Sequence, residues 1–139
     1  MRQAFHEIII STRGRGLTDF TRQVEKWIAD NKFSDGLITL HLRHTSASLV
    51  IQENADPDVR RDLDAFFARL GPDGDPLFIH TAEGEDDMSA HIRTALTTVN
   101  LSIPVRASRM VLGTWQGIYL WEHRTIPHAR HIAVHFIGE

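Results

Sequence analysis

Apolar and polar residues follow two different spacings along the chain, and these divide it into strands and helices. Alternation with a period of two is typical of a strand that buries one face, whereas spacings of three and four residues are typical of a helix. The strand pattern recurs along the whole sequence. The stretches that carry it are residues 4–11, 36–43, 47–52, 101–108, 109–124 and 130–138.

Two helices are predicted in the first half of the chain. Thr18 is placed to cap the first. Asp56 is placed to cap the second, with Pro57 in the first turn, where its missing amide hydrogen is tolerated. Residues 71–76, "GPDGDP", predict a loop that ends the second helix. The predicted inward faces consist of Phe20, Val24, Trp27 and Ile28, and of Val59, Leu63, Phe66, Phe67 and Leu70.

A shorter helix is predicted within residues 83–99, after a short apolar segment at 77–80. Asp86 or Asp87 would cap this helix. Strands and helices do not alternate regularly, so the sequence favours an α+β fold with a mostly antiparallel sheet and two to three helices, in one domain over residues 1–139. The predicted inward residues of the third helix are Met88, Ile92, Ala95 and Val99.

Composition narrows the class of protein. The chain of 139 residues is 42% hydrophobic and 24% charged, as in ordinary globular proteins. A net charge of -3 gives no support for a nucleic-acid partner, and the absence of cysteine excludes thiolate metal sites. No stretch predicts a signal peptide or a membrane span, so a cytoplasmic location without a membrane partner is expected. The chain has nine histidines, and histidine is both a common metal ligand and a side chain that exchanges protons near neutral pH.

The stretch "GTWQGIYLWEHR", residues 113–124, is apolar on both faces and ends in three ionisable residues. We therefore expect both faces to be covered. Glu122 shares a face with Ile118 and Leu120, where a carboxylate requires a partner or a metal ion. The alternative is a strand end in solvent, with Glu122 hydrated or bridged to Arg124.

The turn "HTSAS", residues 44–48, is a second candidate for function. His44 continues the apolar phase of the preceding strand. Thr45 and Ser46 supply hydroxyl groups, and their small size lets backbone amides approach an anion. The alternative is an ordinary Ser/Thr-rich turn with a hydrogen-bonded histidine.

His91 lies on the predicted inward face of the third helix, near its N-terminus, where backbone amides favour anions. A satisfied core histidine is the alternative, and Asp87 is better placed as a helix cap than as a catalytic group. His44, His91 and Glu122 together offer two imidazoles and a carboxylate. That donor set suits a divalent metal ion with an open coordination position.

Four blocks follow one another along the chain: "HTSASL", "ENADPDVRRDL", "EGEDDMSAHI" and "LGTWQGIYLWEHR". Together they resemble the YjbQ family, also called the secondary thiamine-phosphate synthase enzyme family. The resemblance covers nearly the whole chain. Ser89 stands where the family usually has proline and Trp121 where it often has a smaller residue, so local packing differences are expected.

The resemblance implies a compact α+β fold and a homotrimer, in which a neighbouring subunit would cover one face of the 113–123 strand. It also implies a weak ability to join a hydroxymethylpyrimidine pyrophosphate to a thiazole phosphate, which releases pyrophosphate. The alternative is a non-catalytic protein that binds a small molecule, phosphate or metal. The candidate positions are His44, His91 and Glu122 for catalysis and metal binding, and Thr45, Ser46, Asn54, Asp87, Trp115 and Gln116 for the phosphorylated substrate.

Overall fold

The computed structural model describes residues 1–139 and has three helices and eight strands. Its mixture of elements confirms the expected α+β class. None of the helices is both long and apolar enough to cross a membrane. The elements are β1 (Arg2–Ser11), β2 (Gly16–Asp19), α1 (Thr21–Asp30), β3 (Gly36–Leu42), β4 (Ala47–Glu53), α2 (Pro57–Leu70), α3 (Asp87–Leu96), β5 (Asn100–Arg106), β6 (Arg109–Met110), β7 (Gln116–Glu122) and β8 (Ala129–Gly138).

The strands form two antiparallel sheets, as expected. The larger sheet has the order β1-β8-β3-β5-β6 and the smaller has the order β2-β7-β4. β8 pairs along its whole length with β1, from Arg2 opposite Gly138 to Ser11 opposite Ala129. It also pairs with β3 on its other side. The hydrophobic core draws on both sheets and on α1, with Leu40, Phe136 and Leu120 all fully buried.

The first helix has the predicted inward face but not the predicted cap. Phe20, Val24 and Ile28 are fully buried. Thr18 is not a cap, because its backbone belongs to β2, where it lies opposite a residue of β7. The side chain of Asp19 instead accepts a hydrogen bond from the Thr21 amide at 2.9 Å.

The second helix begins as predicted, but it is far less buried than its apolar stripe suggested. Asp56 accepts a hydrogen bond from the Asp58 amide at 2.9 Å, and Pro57 occupies the first turn. No residue of α2 is buried, and Phe66 remains 49% exposed. Leu63, on the predicted inward face, is only half-buried.

The third helix turns a more polar face inward than its apolar spacing predicted. Met88 and Ile92 are half-buried and Ala95 is exposed, so the predicted inward face is wrong. Other parts of the chain supply hydrogen-bond partners for the buried polar residues of α3. For example, the Ser89 hydroxyl donates to the carbonyl oxygen of Gly71. The buried residues of α3 are Asp87, Ser89, Ala90 and Arg93.

Both faces of β7 are covered, as expected, but they are covered within one chain. Ile118 belongs to the core between the sheets. On the opposite face, Trp121 packs against Phe67 of α2 with a ring distance of 5.0 Å, and the Tyr119 hydroxyl accepts a hydrogen bond from Arg60. The two-sided apolar pattern of β7 therefore gives no reason to invoke a neighbouring subunit.

Candidate metal and phosphate site

The clearest group of potential metal ligands lies where α3 begins. Nε2 of His80 lies 2.6 Å from Oδ2 of Asp87, and Nε2 of His91 lies 3.2 Å from the same oxygen. The donor atoms of the three residues all lie within 4.8 Å of one another. Asp87 is buried, His91 is half-buried and His80 is exposed, so the His80–Asp87–His91 cluster is open to solvent on one side.

The hydrogen bonds of His91 determine which of its ring nitrogens faces the Asp87 carboxylate. Nδ1 of His91 lies 2.9 Å from the carbonyl oxygen of Thr45, and because a carbonyl only accepts, Nδ1 must donate. In a neutral imidazole, Nε2 would then be an acceptor facing the Asp87 carboxylate, which is also an acceptor. A proton on Nε2 or a cation between the two resolves this conflict. A backbone carbonyl on the other ring nitrogen is the usual support of a metal-binding histidine.

Arg124 joins the beginning of α3 to the segment after β7. Its guanidinium lies 2.8 Å from Oδ1 of Asp87 and 2.9 Å from Oδ2 of Asp86. Burial alone would raise the pKa of Asp86, but hydrogen bonds from Arg124 and the Thr125 amide outweigh it and lower the pKa to about 2. The pKa of Asp87 is also lowered, because His80, His91 and Arg124 outweigh its burial. Both carboxylates are therefore ionised at neutral pH.

Glu122 forms a second, fully buried polar group with Arg130 and Thr12. Nε of Arg130 donates to Oε1 of Glu122 at 2.9 Å, and the Thr12 hydroxyl donates to the same oxygen at 2.8 Å. Glu122 is 0% exposed, so the alternative of a hydrated strand end is wrong. Burial would raise its pKa, but the bonds from Arg130, Thr12 and the Arg124 amide hold the pKa below its ordinary value.

His44 and Ser46 lie against the same arginine. Nη2 of Arg130 donates to the Ser46 hydroxyl at 3.0 Å, and Nη1 lies 3.3 Å from Nδ1 of His44. Nε2 of His44 accepts a hydrogen bond from the His131 amide at 2.9 Å. Burial and then the charge of Arg130 lower the pKa of His44. One ring nitrogen of His44 is therefore occupied and the other faces a cation, which disfavours metal binding.

The predicted ligand set of His44, His91 and Glu122 is therefore divided between two neighbouring groups in this chain. His91 belongs to the His80–Asp87–His91 cluster. Glu122 and His44 belong to the Glu122–Arg130 cluster, which also contains Thr12 and Ser46. His80 was not predicted as a site residue from the sequence, because it lies in an irregular segment without periodicity. The available signal was the four-residue spacing of Asp87 and His91, which places both on one helix face.

The remaining substrate-binding candidates lie at the opposite end of β7. The side-chain amide of Asn54 donates to the Thr114 carbonyl at 3.3 Å, and the Gln116 side chain accepts from the Gly113 backbone amide at 2.7 Å. Both residues line a cavity of about 990 Å³, and neighbouring Trp115 is 64% exposed. A strand rises about 3.3 Å per residue, so the seven residues of β7 place its ends roughly 20 Å apart.

His123 follows Glu122 directly in the chain and is entirely buried. Its Nε2 lies 2.8 Å from the Ser48 hydroxyl, whereas its Nδ1 has no hydrogen-bond partner. Burial lowers the pKa of His123 to about 3, and the nearby charges of Arg93, Arg15 and Arg130 act in the same direction. His123 is therefore neutral at physiological pH and acts in the fold rather than as an exchangeable acid.

Comparisons with known proteins identify a set of related chains. The sequence model of a family described as "UPF0047 protein YjbQ-like" matches residues 6–139. The UPF0047 protein sll1880 of Synechocystis sp. is 49% identical over 138 residues, covering 99% of this chain and 94% of that protein. The UPF0047 protein YjbQ of Escherichia coli O157:H7 is 41% identical, covering 95% of this chain and 96% of its own length.

Solved structures agree along almost the entire chain. A crystal structure of a protein of unknown function from Sulfolobus solfataricus P2 has a TM-score of 0.88 at 26% identity and covers 99% of both chains. An uncharacterized protein of the yjbq/upf0047 family from Clostridium acetobutylicum has a TM-score of 0.86 at 33% identity. That match covers 95% of this chain and 99% of the other.

Proposed function

The chain belongs to the YjbQ-like UPF0047 family, and we propose that it is a metal-dependent transferase for phosphorylated substrates. Its proposed reaction is the formation of thiamine phosphate at a low rate. A carbon–oxygen bond to pyrophosphate breaks, and a bond forms between that carbon and the thiazole nitrogen. The family resemblance supports the reaction, and the single observation that supports metal dependence is the His80–Asp87–His91 cluster.

The donor set of this cluster fits a divalent ion such as zinc. Two imidazoles and one carboxylate are the ligands of many catalytic zinc sites, which keep a fourth position for water or substrate. The Thr45 carbonyl orients His91, and Arg124 orients Asp87, so two of the three ligands are already held in place. When bound, a divalent ion would neutralise charge on the departing pyrophosphate.

The local charge balance also favours a metal ion. Asp86 and Asp87 carry two negative charges beside the single positive charge of Arg124. A pyrophosphate would therefore meet a net negative surface in spite of the nearby helix N-terminus. A divalent ion reverses this balance, whereas a single protonated histidine would only cancel it.

The alternative is a non-catalytic protein that binds metal or phosphate and has only incidental synthase activity. The observation that favours it is the saturation of the neighbouring ionisable groups. Both oxygens of Glu122 and both acidic side chains at the start of α3 are already paired.

Metal-stripped and zinc-loaded protein distinguish these functions when tested with the two phosphorylated substrates. The transferase proposal expects turnover that appears on metal addition and is lost in His91→Ala. His41→Ala is the matched control, because this exposed histidine lies on β3 and is not one of the three residues of the cluster. Metal binding lost in His91→Ala without turnover in any preparation would favour the binding protein. Wild-type protein that shows no turnover and binds neither metal nor phosphate would contradict both.

A further inference from the structure

Arg93 of α3 is buried without an anionic partner. The residue is 2% exposed, and its Nε donates a hydrogen bond of 3.3 Å to the Ser89 hydroxyl. No carboxylate forms a salt bridge with its guanidinium. Nη1 is buried and has no hydrogen-bond partner. Because arginine stays protonated in proteins, α3 carries into the interior a positive charge that no ion pair neutralises.

The acidic side chains that act on Arg93 do not compensate this charge. Asp73 is already paired, since Nη1 and Nη2 of Arg15 donate to its two carboxylate oxygens, each at 2.9 Å. Asp64 is exposed, and water and salt screen its charge. Arg15, Asp73 and Arg93 together therefore leave one positive charge in excess.

His123 supplies a second buried donor without a partner. Its Nε2 lies 2.8 Å from the Ser48 hydroxyl, and both residues are fully buried. The hydroxyl hydrogen finds its acceptor at Nε2, so the neutral imidazole carries its own hydrogen on Nδ1. Nδ1 has no hydrogen-bond partner. Its N–H group is therefore a buried donor that the chain itself does not satisfy.

The two unpaired donors lie in the same part of the protein interior. Burial lowers the pKa of His123 most strongly, and among the nearby charges that of Arg93 contributes most. Arg15 also donates to the His123 carbonyl oxygen, at 3.0 Å. Arg130, the other cation near His123, is neutralised by a carboxylate of its own. A water molecule would satisfy the two donors but not the excess charge, whereas an anion satisfies both.

We propose that Nη1 of Arg93 and Nδ1 of His123 bind a monatomic anion such as chloride inside the folded chain. Both groups donate, which matches an ion that only accepts hydrogen bonds. The enclosure of both residues excludes a phosphorylated metabolite, because such a ligand would need an opening to solvent. The site shares no residue with the His80–Asp87–His91 cluster and does not rest on the proposed function.

Thermal unfolding at constant ionic strength tests the site, with sodium chloride compared with sodium gluconate. We expect Tm in chloride to be higher by roughly 4 °C once chloride reaches about ten times its dissociation constant. Arg93→Met should abolish this difference. Arg61→Met is the matched control and should retain it, because the Arg61 side chain is 77% exposed on α2. Equal Tm values of the wild type in the two salts, or a chloride effect that survives Arg93→Met, would overturn the proposal.

Bromide gives a second measurement that does not require a folded variant. Crystals of the wild-type protein grown in sodium bromide should show an anomalous scattering peak in hydrogen-bond contact with Nη1 of Arg93 and Nδ1 of His123. A water molecule at that position, or bromide bound only at the protein surface, would contradict the site.

Discussion

The two polar clusters beside β7 contain similar residue types but differ in exposure and in how far their hydrogen bonds are satisfied. Glu122 is fully buried, and Arg130, Thr12 and the Arg124 amide occupy its oxygens. The His80–Asp87–His91 cluster reaches solvent, and Nε2 of His91 lies 3.2 Å from a carboxylate oxygen of Asp87. The first arrangement stabilises the fold, and the second leaves room for an exchangeable ion.

Glu122→Gln should produce the largest loss of stability. It leaves the buried Arg130 guanidinium without its anion, and breaking a buried pair typically costs about 3–5 kcal/mol. The free energy of unfolding from urea titration measures this loss. The double variant Glu122→Gln/Arg130→Met should recover part of it. A loss within about 0.5 kcal/mol, as at ordinary surface positions, would mean that this cluster is not structural.

Acidic pH should lower the stability of the fold through the buried residue His123. The pKa of His123 is about 3 in the folded chain and about 6.5 unfolded, so only the unfolded chain binds this proton between those values. Stability therefore falls as pH decreases from about 6.5, by roughly 1.4 kcal/mol per pH unit from this residue. Urea midpoints at pH 7 and pH 5 test the slope, and His123→Gln should flatten it.

A smaller effect is expected in α2. Leu63 is only half-buried, so Leu63→Ala should cost about 1 kcal/mol rather than the larger loss typical of a core leucine. Thermal unfolding of the variant measures the difference, with Leu40→Ala in the core as the reference. A loss comparable to that of Leu40→Ala would show that α2 is covered by another chain in solution.

The smallest change in stability should come from the exposed cluster. His80→Ala should alter the free energy of unfolding by less than about 1 kcal/mol, because Asp87 keeps its partner Arg124. The same variant should lose bound zinc, measured by metal analysis after dialysis. Unchanged metal content would contradict the assignment of His80 as a ligand.

Backbone elements were predictable from the sequence because their periodicities are local. The α1 face of Phe20, Val24 and Ile28 follows helical spacing directly. The inward side of α3 escaped prediction because its buried residues include Asp87, whose partner Arg124 lies far away in the chain. An apolar pattern identifies surfaces that avoid water, but it cannot identify polar groups that are buried with a partner.

The candidate site was likewise predictable from the sequence only in part. Glu122 was identified by its phase on β7, but Thr12 lies 110 positions away and nothing in the sequence links the two. His80 lies in an irregular segment and became visible only through its distance to Asp87. Similarly, α2 has the apolar spacing of a buried helix face, but Phe66 and Leu70 on that face are exposed to solvent.

The position of β8 in the larger sheet governs the order in which the chain can fold during synthesis. β1 and β3 are both complete early. β3 can pair with β5, but β1 has only β8 as its neighbour, and residues 129–138 are made long after β1 ends at Ser11. Such distant pairings slow folding and leave strand edges exposed in the meantime. A nascent chain on the ribosome therefore holds β1 unpaired until β8 emerges, which makes this interval its period of greatest exposure to aggregation and to chaperones.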